Sequence, residues 1–358
     1  MLIPCLTMLD KKKNDVVSKL KNGSIIAFLL MATSVFDFNQ VEARRFLPTE
    51  ESNQNRTVPV PKPSAIETKT GLTINETLLV GGMIRKALVH LPPHYTLEDK
   101  RPLVIVLHGA RLSGWIAEAA TGFDKIANQE NFIVTYPDAL HQQWNDGRSA
   151  TDTPSYGVDD VGFISQLIDY IDWKYHIRKD EVYVVGFSSG GMLAQKIGLE
   201  RAEKVSAIAE VAASLPIPQM DLQLKPSRPL SVLMINGTKD HAFPWTGGIT
   251  KIVRVRVGAV APIMATYQYW INANGGPGPI PPRQEVLQKN KTSTIVNLLN
   301  TRTANGSCIM LYRINGGGHT WPGSELPLQY IPFLGRQSRD LNASELIWEF
   351  FKRQHADC

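Results

Sequence analysis

Cysteine is scarce in this sequence: three occur in 358 residues, Cys5, Cys308 and Cys358. No cysteine–histidine cluster has ligand spacing, which argues against a structural or catalytic metal centre. An excess of one charge is also missing. Lys and Arg total 38 against 33 Asp and Glu, a net charge of +5, with no long basic run outside the N-terminal segment. That balance describes a solvated surface and argues against a nucleic-acid partner. Internal repeats are absent as well. The run Ile25 to Phe36 (IIAFLLMATSVF) is apolar and uncharged, but it is short for a bilayer, which takes ~20 residues.

That run reads instead as the core of an export signal. Lys11, Lys12, Lys13, Lys19 and Lys21 precede it, and Val41-Glu42-Ala43 offers small residues at a cleavage site. Residues 1–43 are therefore expected to be a signal peptide, and the protein secreted or periplasmic, with no stable membrane insertion after cleavage. A cut nearer Ala32-Thr33-Ser34, an uncleaved anchor and a start at Met8 stand as alternatives. Export removes Cys5 and leaves Cys308 and Cys358 in an oxidising compartment. They are expected either to pair, tying the C-terminus to a late strand, or to remain as free thiols.

Residues 44–70 contain RTVPVPKPSAIETKT and few large apolar side chains, as in an extended leader. From 71 to 358 the pattern is globular. Strands are expected at Ile84–Leu91, Leu103–Leu107, Phe132–Tyr136, Val182–Val185, Ile208–Val211 and Val232–Ile235, and in IMLYRI before residue 315. Helices are expected at Trp115–Asn128, Val158–Lys174, from Met192 to Leu199, at Ala261–Ala273 and at Leu341–Lys352. Short apolar strands alternating with helices imply a mainly parallel, doubly wound sheet flanked by helices. The Gly- and Pro-rich stretch Asn272–Arg283 is a loop, placed either near a cleft or on the surface.

The turn Gly186-Phe187-Ser188-Ser189-Gly190 matches G-x-S-x-G. The pattern alone is weak. Its setting, after the buried strand EVYVV and before the helical GGMLAQKIGLE, is the one that forces a serine hydroxyl above a sheet. A serine needs a base, and in such a fold the chain order is Ser, acid, His. Only His241, His319 and His355 follow Ser188. His319 lies in the glycine-rich NGGGHTWPG directly after a strand and is the expected base. Asp240, in NGTKDHAFPW after another strand, is the expected acid, with Asp221 as the competitor. Backbone N–H groups of Ala110 and Ser189 are the expected oxyanion donors. His108 is expected to orient the loop that carries Ala110. Trp144, Trp245 and Trp321 sit near these motifs, as walls of a substrate cleft or as core.

The assembled motifs resemble the polyhydroxybutyrate depolymerase and feruloyl esterase family of α/β-hydrolases. They are LHG at Leu107–Gly109, YPD at Tyr136–Asp138, WNDG at Trp144–Gly147, VDDVGFI at Val158–Ile164, GFSSGG at Gly186–Gly191, NGTKDHAFPWTGG around Asp240, GGGHTWPG around His319, and the terminal IWEFF. The resemblance implies an α/β-hydrolase fold, a Ser188–His319–Asp240 triad, and Ala110 at the oxyanion loop. It implies hydrolysis of small-molecule or oligomeric esters without a cofactor. Cysteines frequent in such proteins are replaced here by Ala110, Arg148-Ser149 and Asn274-Gly275-Gly276, so the disulfides that brace some relatives are missing. No polymer-binding module is evident, which favours soluble or oligomeric esters. A serine peptidase on the same fold and an inactive binding protein are the alternatives.

Overall fold

Strand residues 103–107 carry their side chains alternately to two buried layers. Leu103, Ile105 and Leu107 enter one core, and Val104 and Val106 the other. A strand apolar on both faces needs cover on both, and the chain supplies it. The computed structural model describes residues 68–148, 157–252, 255–287, 294–326 and 334–353. The expected signal peptide, most of the expected leader, Ser149, His355 and Cys358 lie outside the described residues.

The strands are β1 (Leu72–Val80), β2 (Met83–Leu91), β3 (Arg101–Leu107), β4 (Ile133–Pro137), β5 (Ile177–Phe187), β6 (Ala207–Val211), β7 (Ser231–Gly237), β8 (Gly248–Ile252), β9 (Val255–Val260), β10 (Arg283–Leu287), β11 (Ile295–Arg302) and β12 (Cys308–Asn315). The helices are α1 (Gly114–Thr121), α2 (Phe123–Glu130), α3 (Asp160–Tyr175), α4 (Ser189–Glu200), α5 (Ile217–Asp221), α6 (Ile263–Ala273) and α7 (Ala343–Arg353). One sheet runs in the order β1-β2-β4-β3-β5-β6-β7-β12-β11-β10, and β8 and β9 form a separate hairpin. The stretch from β4 to β12 is parallel, while β1, β2, β10 and β11 add antiparallel edges. Helices α3, α4 and α6 cover one face, and α1, α2 and α7 the other. This is the α/β-hydrolase arrangement.

The helix expected over Trp115–Asn128 is two helices. Gly122, at φ 65°, ends α1 in a left-handed cap and starts α2. The antiparallel edges were not expected. β1 is half exposed, so its apolar alternation is blurred, yet Gly81 and Gly82 (φ 56° and 77°) close a tight hairpin to β2. The loop after α6 pairs Pro277 with Thr303. It lies at the Cys308 end of β12, opposite the end that leads to His319.

A buried ion pair ties the outer layer to the sheet. Arg85 of β2 donates to Asp160 of α3 at 2.6 Å, and its guanidinium lies 3.7 Å from the centre of the Phe163 ring. Asp160 also accepts the Asn145 N–H at 2.7 Å. Burial lowers the Arg85 pKa and raises that of Asp160, so each charge depends on the other. Asp160→Ala, which leaves Arg85 buried without its partner, is expected to cost ~3–5 kcal/mol, read as a lower urea midpoint. The double variant Arg85→Met/Asp160→Leu is expected to recover most of that loss.

Candidate active site

Strand β5 ends at Phe187 and α4 starts at Ser189, so Ser188 is the single residue between them. Its φ of 57° and ψ of −120° are unfavourable for a side-chain-bearing residue, a strain of about 1–3 kcal/mol. The turn survives because its neighbours hold it. Ser188 N–H donates to Val211 O at 2.9 Å, and Ser188 O accepts from the N–H groups of Gly191 and Met192. Glycine is required on both sides for lack of space. A Cβ on Gly186 would stand 2.1 Å from the Gly190 carbonyl, and one on Gly190 would stand 2.3 Å from Leu107 O.

Asp240 follows β7, and His319 follows the neighbouring β12. All of these loops leave the carboxyl ends of parallel strands, where such sheets place their sites. His319 Nε2 lies 3.0 Å from Ser188 Oγ, and His319 Nδ1 lies 2.8 Å from Asp240 Oδ2. Asp240 Oδ1 accepts the N–H groups of Ala242 (2.8 Å) and Phe243 (2.7 Å), so both carboxyl oxygens are engaged. All three side chains are buried. The competitors stay apart from this line: His241 is exposed, and Asp221 ends α5.

Two aromatic rings clamp the imidazole. Phe243 stacks on it at 5.3 Å and 10°, and Phe187 meets it at 5.0 Å. Arg148 also stands over Phe243, 5.8 Å from the ring centre and paired with Asp146 at 2.6 Å. Sequence reasoning did not assign these residues. The signal for Phe243 was its place three residues after Asp240, in DHAFPW.

After β3 the chain turns through His108, Gly109 and Ala110. A Cβ on Gly109 would lie 3.4 Å from Ser188 Cβ, so this loop flanks the serine. Among the described residues neither Ala110 N–H nor Ser189 N–H meets an acceptor. His108 is fully buried. Its Nδ1–H donates to Gly109 O at 2.7 Å, and its Nε2 accepts Ala139 N–H at 3.0 Å. Those two bonds require the neutral ring, and burial lowers the pKa to about 4. Trp144 N–H donates to His108 O at 2.8 Å, and the indole lies against the imidazole at 4.9 Å. Asp138 caps α1 by accepting Gly114 N–H at 2.7 Å. The LHG, YPD and WNDG segments thus form one brace.

The three tryptophans do not share a wall. Trp144 and Trp321 are 1% and 2% exposed. Trp321 N–H donates to Ser344 Oγ, and the ring packs edge-on against Phe123 and Phe187. Both act as struts, because an indole whose N–H is engaged inside the fold contributes packing there. Trp245 is half-buried beneath the Arg313 guanidinium, 5.2 Å away. Cys308 is disulfide-bonded. Among the described residues no group of His, Cys, Asp and Glu could hold a metal ion, and no helix is long and apolar enough to cross a membrane.

Two outcomes are expected. Gly190→Ala should force α4 away from Leu107 O, lowering both the melting temperature and the rate of ester hydrolysis. His108 should show no titration by NMR until about pH 4 in the folded protein, against an ordinary 6.5 when unfolded. A depressed histidine pKa favours the unfolded chain as pH falls across that window. His108→Gln should therefore flatten the acid limb of the stability curve.

Comparison with known proteins agrees with this architecture. Residues 82–251 match the family described as "Putative esterase". The chain is 27% identical over 326 residues to "Putative esterase NocK" of Nocardia uniformis subsp. tsuyamanensis, covering 87% of each. It is 28% identical over 240 residues to feruloyl esterase B of Piromyces equi, covering 66% of this chain and 42% of that longer protein. It is 30% identical over 113 residues to the poly(3-hydroxybutyrate) depolymerase of Ralstonia pickettii, 29% of this chain and 23% of that one. Residues 82–251 thus carry an esterase match on an α/β-hydrolase fold, and the protein is a carboxylic ester hydrolase.

Proposed function

We propose that the protein is an exported serine esterase working through Ser188, His319 and Asp240. The observation that carries this reading is the hydrogen-bonded line from Asp240 Oδ2 through His319 to Ser188 Oγ, with the serine in a strained turn at the head of a helix. Asp240 accepts from Nδ1–H, which leaves Nε2 free to take the serine proton. Ser188 Oγ attacks the ester carbonyl as that proton passes to His319. The oxyanion gathers beside Ala110 N–H and Ser189 N–H, where losing one donor typically costs about 3 kcal/mol of transition-state stabilisation. The imidazolium returns its proton to the departing alcohol, leaving an acyl-enzyme. Water, deprotonated by the same imidazole, releases the acid. No cofactor enters these steps.

The proposed substrates are soluble carboxylic esters of the feruloyl or hydroxyalkanoate-oligomer type. Support comes from the motif set and from relatives named for those two ester classes. Export is supported by the Lys-rich start followed by an apolar run, and by a disulfide at Cys308, since structural disulfides belong to oxidising compartments. The expected partner of Cys308 is Cys358.

Ser188→Ala should lower hydrolysis of short 4-nitrophenyl esters by several orders of magnitude, with an unchanged circular dichroism spectrum. The same variant should lose covalent labelling by a fluorophosphonate. Retained turnover would refute Ser188 as nucleophile. A panel of feruloyl esters, hydroxybutyrate oligomers and matched aminoacyl amides reads out the substrate class, and faster amide cleavage would point to a peptidase.

A further inference from the structure

Beneath the Ser188 turn lies a carboxyl that the acyl-transfer scheme does not use. Glu210 sits on β6, directly beside Gly186 of β5 and Met234 of β7, and is 0% exposed. A Cβ on Gly191 would lie 3.2 Å from Glu210 Cβ, so the first turn of α4 rests on this side chain. Glu210 Oε2 accepts Ala213 N–H at 2.8 Å and faces Asn236 Nδ2 at 3.4 Å. Asn236 stands on β7, four residues before Asp240, and its Nδ2 also donates to Ala213 O at 2.7 Å. That second bond fixes which end of the amide is which.

These side chains tie together the two halves of the proposed triad. Val211 O holds Ser188 N–H, and Ala212, at φ 52°, donates its N–H to Ile235 O. Residues 211–213 are therefore bound to the nucleophile on one side and to β7, which leads to Asp240, on the other. Glu210 and Asn236 are the side-chain link across that turn.

The link lacks one proton. Glu210 Oε1 and Asn236 Oδ1 are both buried, and among the described residues neither meets a donor. An ionised carboxyl can only accept, and so can an amide oxygen. The two side chains meet at Asn236 Nδ2 and Glu210 Oε2, and a single hydrogen on Oε1 directed at Asn236 Oδ1 would satisfy both orphan acceptors. The charged side chain that acts on Glu210 is Asp240, of the same sign. Among the described residues no cation acts on Glu210, so ionising it would bury an unpaired charge, which is costly.

We propose that Glu210 is a positioning residue that binds the Ser188 turn to the Asp240 strand as an undissociated acid, its Oε1–H supplying the donor that Asn236 Oδ1 lacks. The proposal rests on the triad reading above. Burial chiefly, with the Asp240 charge added, raises the Glu210 pKa well above the carboxylate range, against the lowering effect of Ala213 N–H and Asn236. Asp240 then keeps the negative charge that faces His319. A raised folded-state pKa means the stability contributed is full below the ordinary carboxylate range and is lost as pH rises through the folded value.

The test compares the wild type with Glu210→Gln and Glu210→Ala. It follows kcat/KM on 4-nitrophenyl acetate against pH, melting temperature against pH, and the infrared difference spectrum of wild type minus Glu210→Gln. Glutamine reproduces the protonated acid, accepting at one end and donating at the other. Glu210→Ala should lose about 10- to 100-fold in kcat/KM through misplacement of Ser188, and Glu210→Gln should restore most of it. The melting temperature of Glu210→Gln should gain on the wild type as pH rises. The difference spectrum should contain the carbonyl stretch of a protonated carboxyl at neutral pH. The absence of that band, a Glu210→Gln variant as impaired as Glu210→Ala, or full activity in Glu210→Ala would each overturn the proposal. If Glu210→Ala does not fold, the band and the melting trend still decide. Neither depends on Ser188 being the nucleophile, so a failed triad and a failed Glu210 are told apart.

Discussion

The rest of the site depends on one close approach, the packing of the first turn of α4 against the backbone of Leu107 and His108. Only a glycine at 190 permits it, because any Cβ would stand 2.3 Å from Leu107 O. With the helix seated there, Ser188 is forced into its strained turn and the N-terminus of α4 faces the serine. Peptide dipoles aligned along the helix favour negative charge at that point. The same approach sets Gly109 beside Ser188, so the loop after β3 and the serine turn form one rigid unit.

A loop that presents bare N–H groups must be held by something else, and polar side chains do this from behind. His108 spends both ring nitrogens on backbone groups, and Trp144 grips the His108 carbonyl. Asn145 reaches Asp160, which holds Arg85. The chain of contacts runs from the outer strand β2 through α3 to the loop beside the serine. Buried hydrogen bonds do this bracing, and a hydrogen bond is worth more in the interior than at the surface.

His319 is fixed in a different manner. Its nitrogens meet Ser188 and Asp240, while Phe243 and Phe187 hold its faces. These aromatic walls restrict rotation of the imidazole ring. Phe187 belongs to the serine turn and Phe243 to the Asp240 loop, so the clamp closes only when both loops are in place.

The sequence by itself determined the strands that are apolar on both faces, the helices between them, and the order Ser188, Asp240, His319. Those features are local: a buried parallel strand needs consecutive apolar residues, and a sharp turn needs glycine at fixed offsets. It also carried the LHG, YPD and WNDG segments, but not what they do. The half-exposed edge strand β1 escaped detection because one of its faces meets water, and the break at Gly122 because one glycine interrupts an otherwise helical pattern. Tertiary structure alone decided that Trp144 and Trp321 are struts, that Phe243 lies on His319, and that Glu210 is enclosed beneath the Ser188 turn. Each of these depends on which strands become neighbours. That is set by packing across a sheet whose adjacent members stand far apart in the chain.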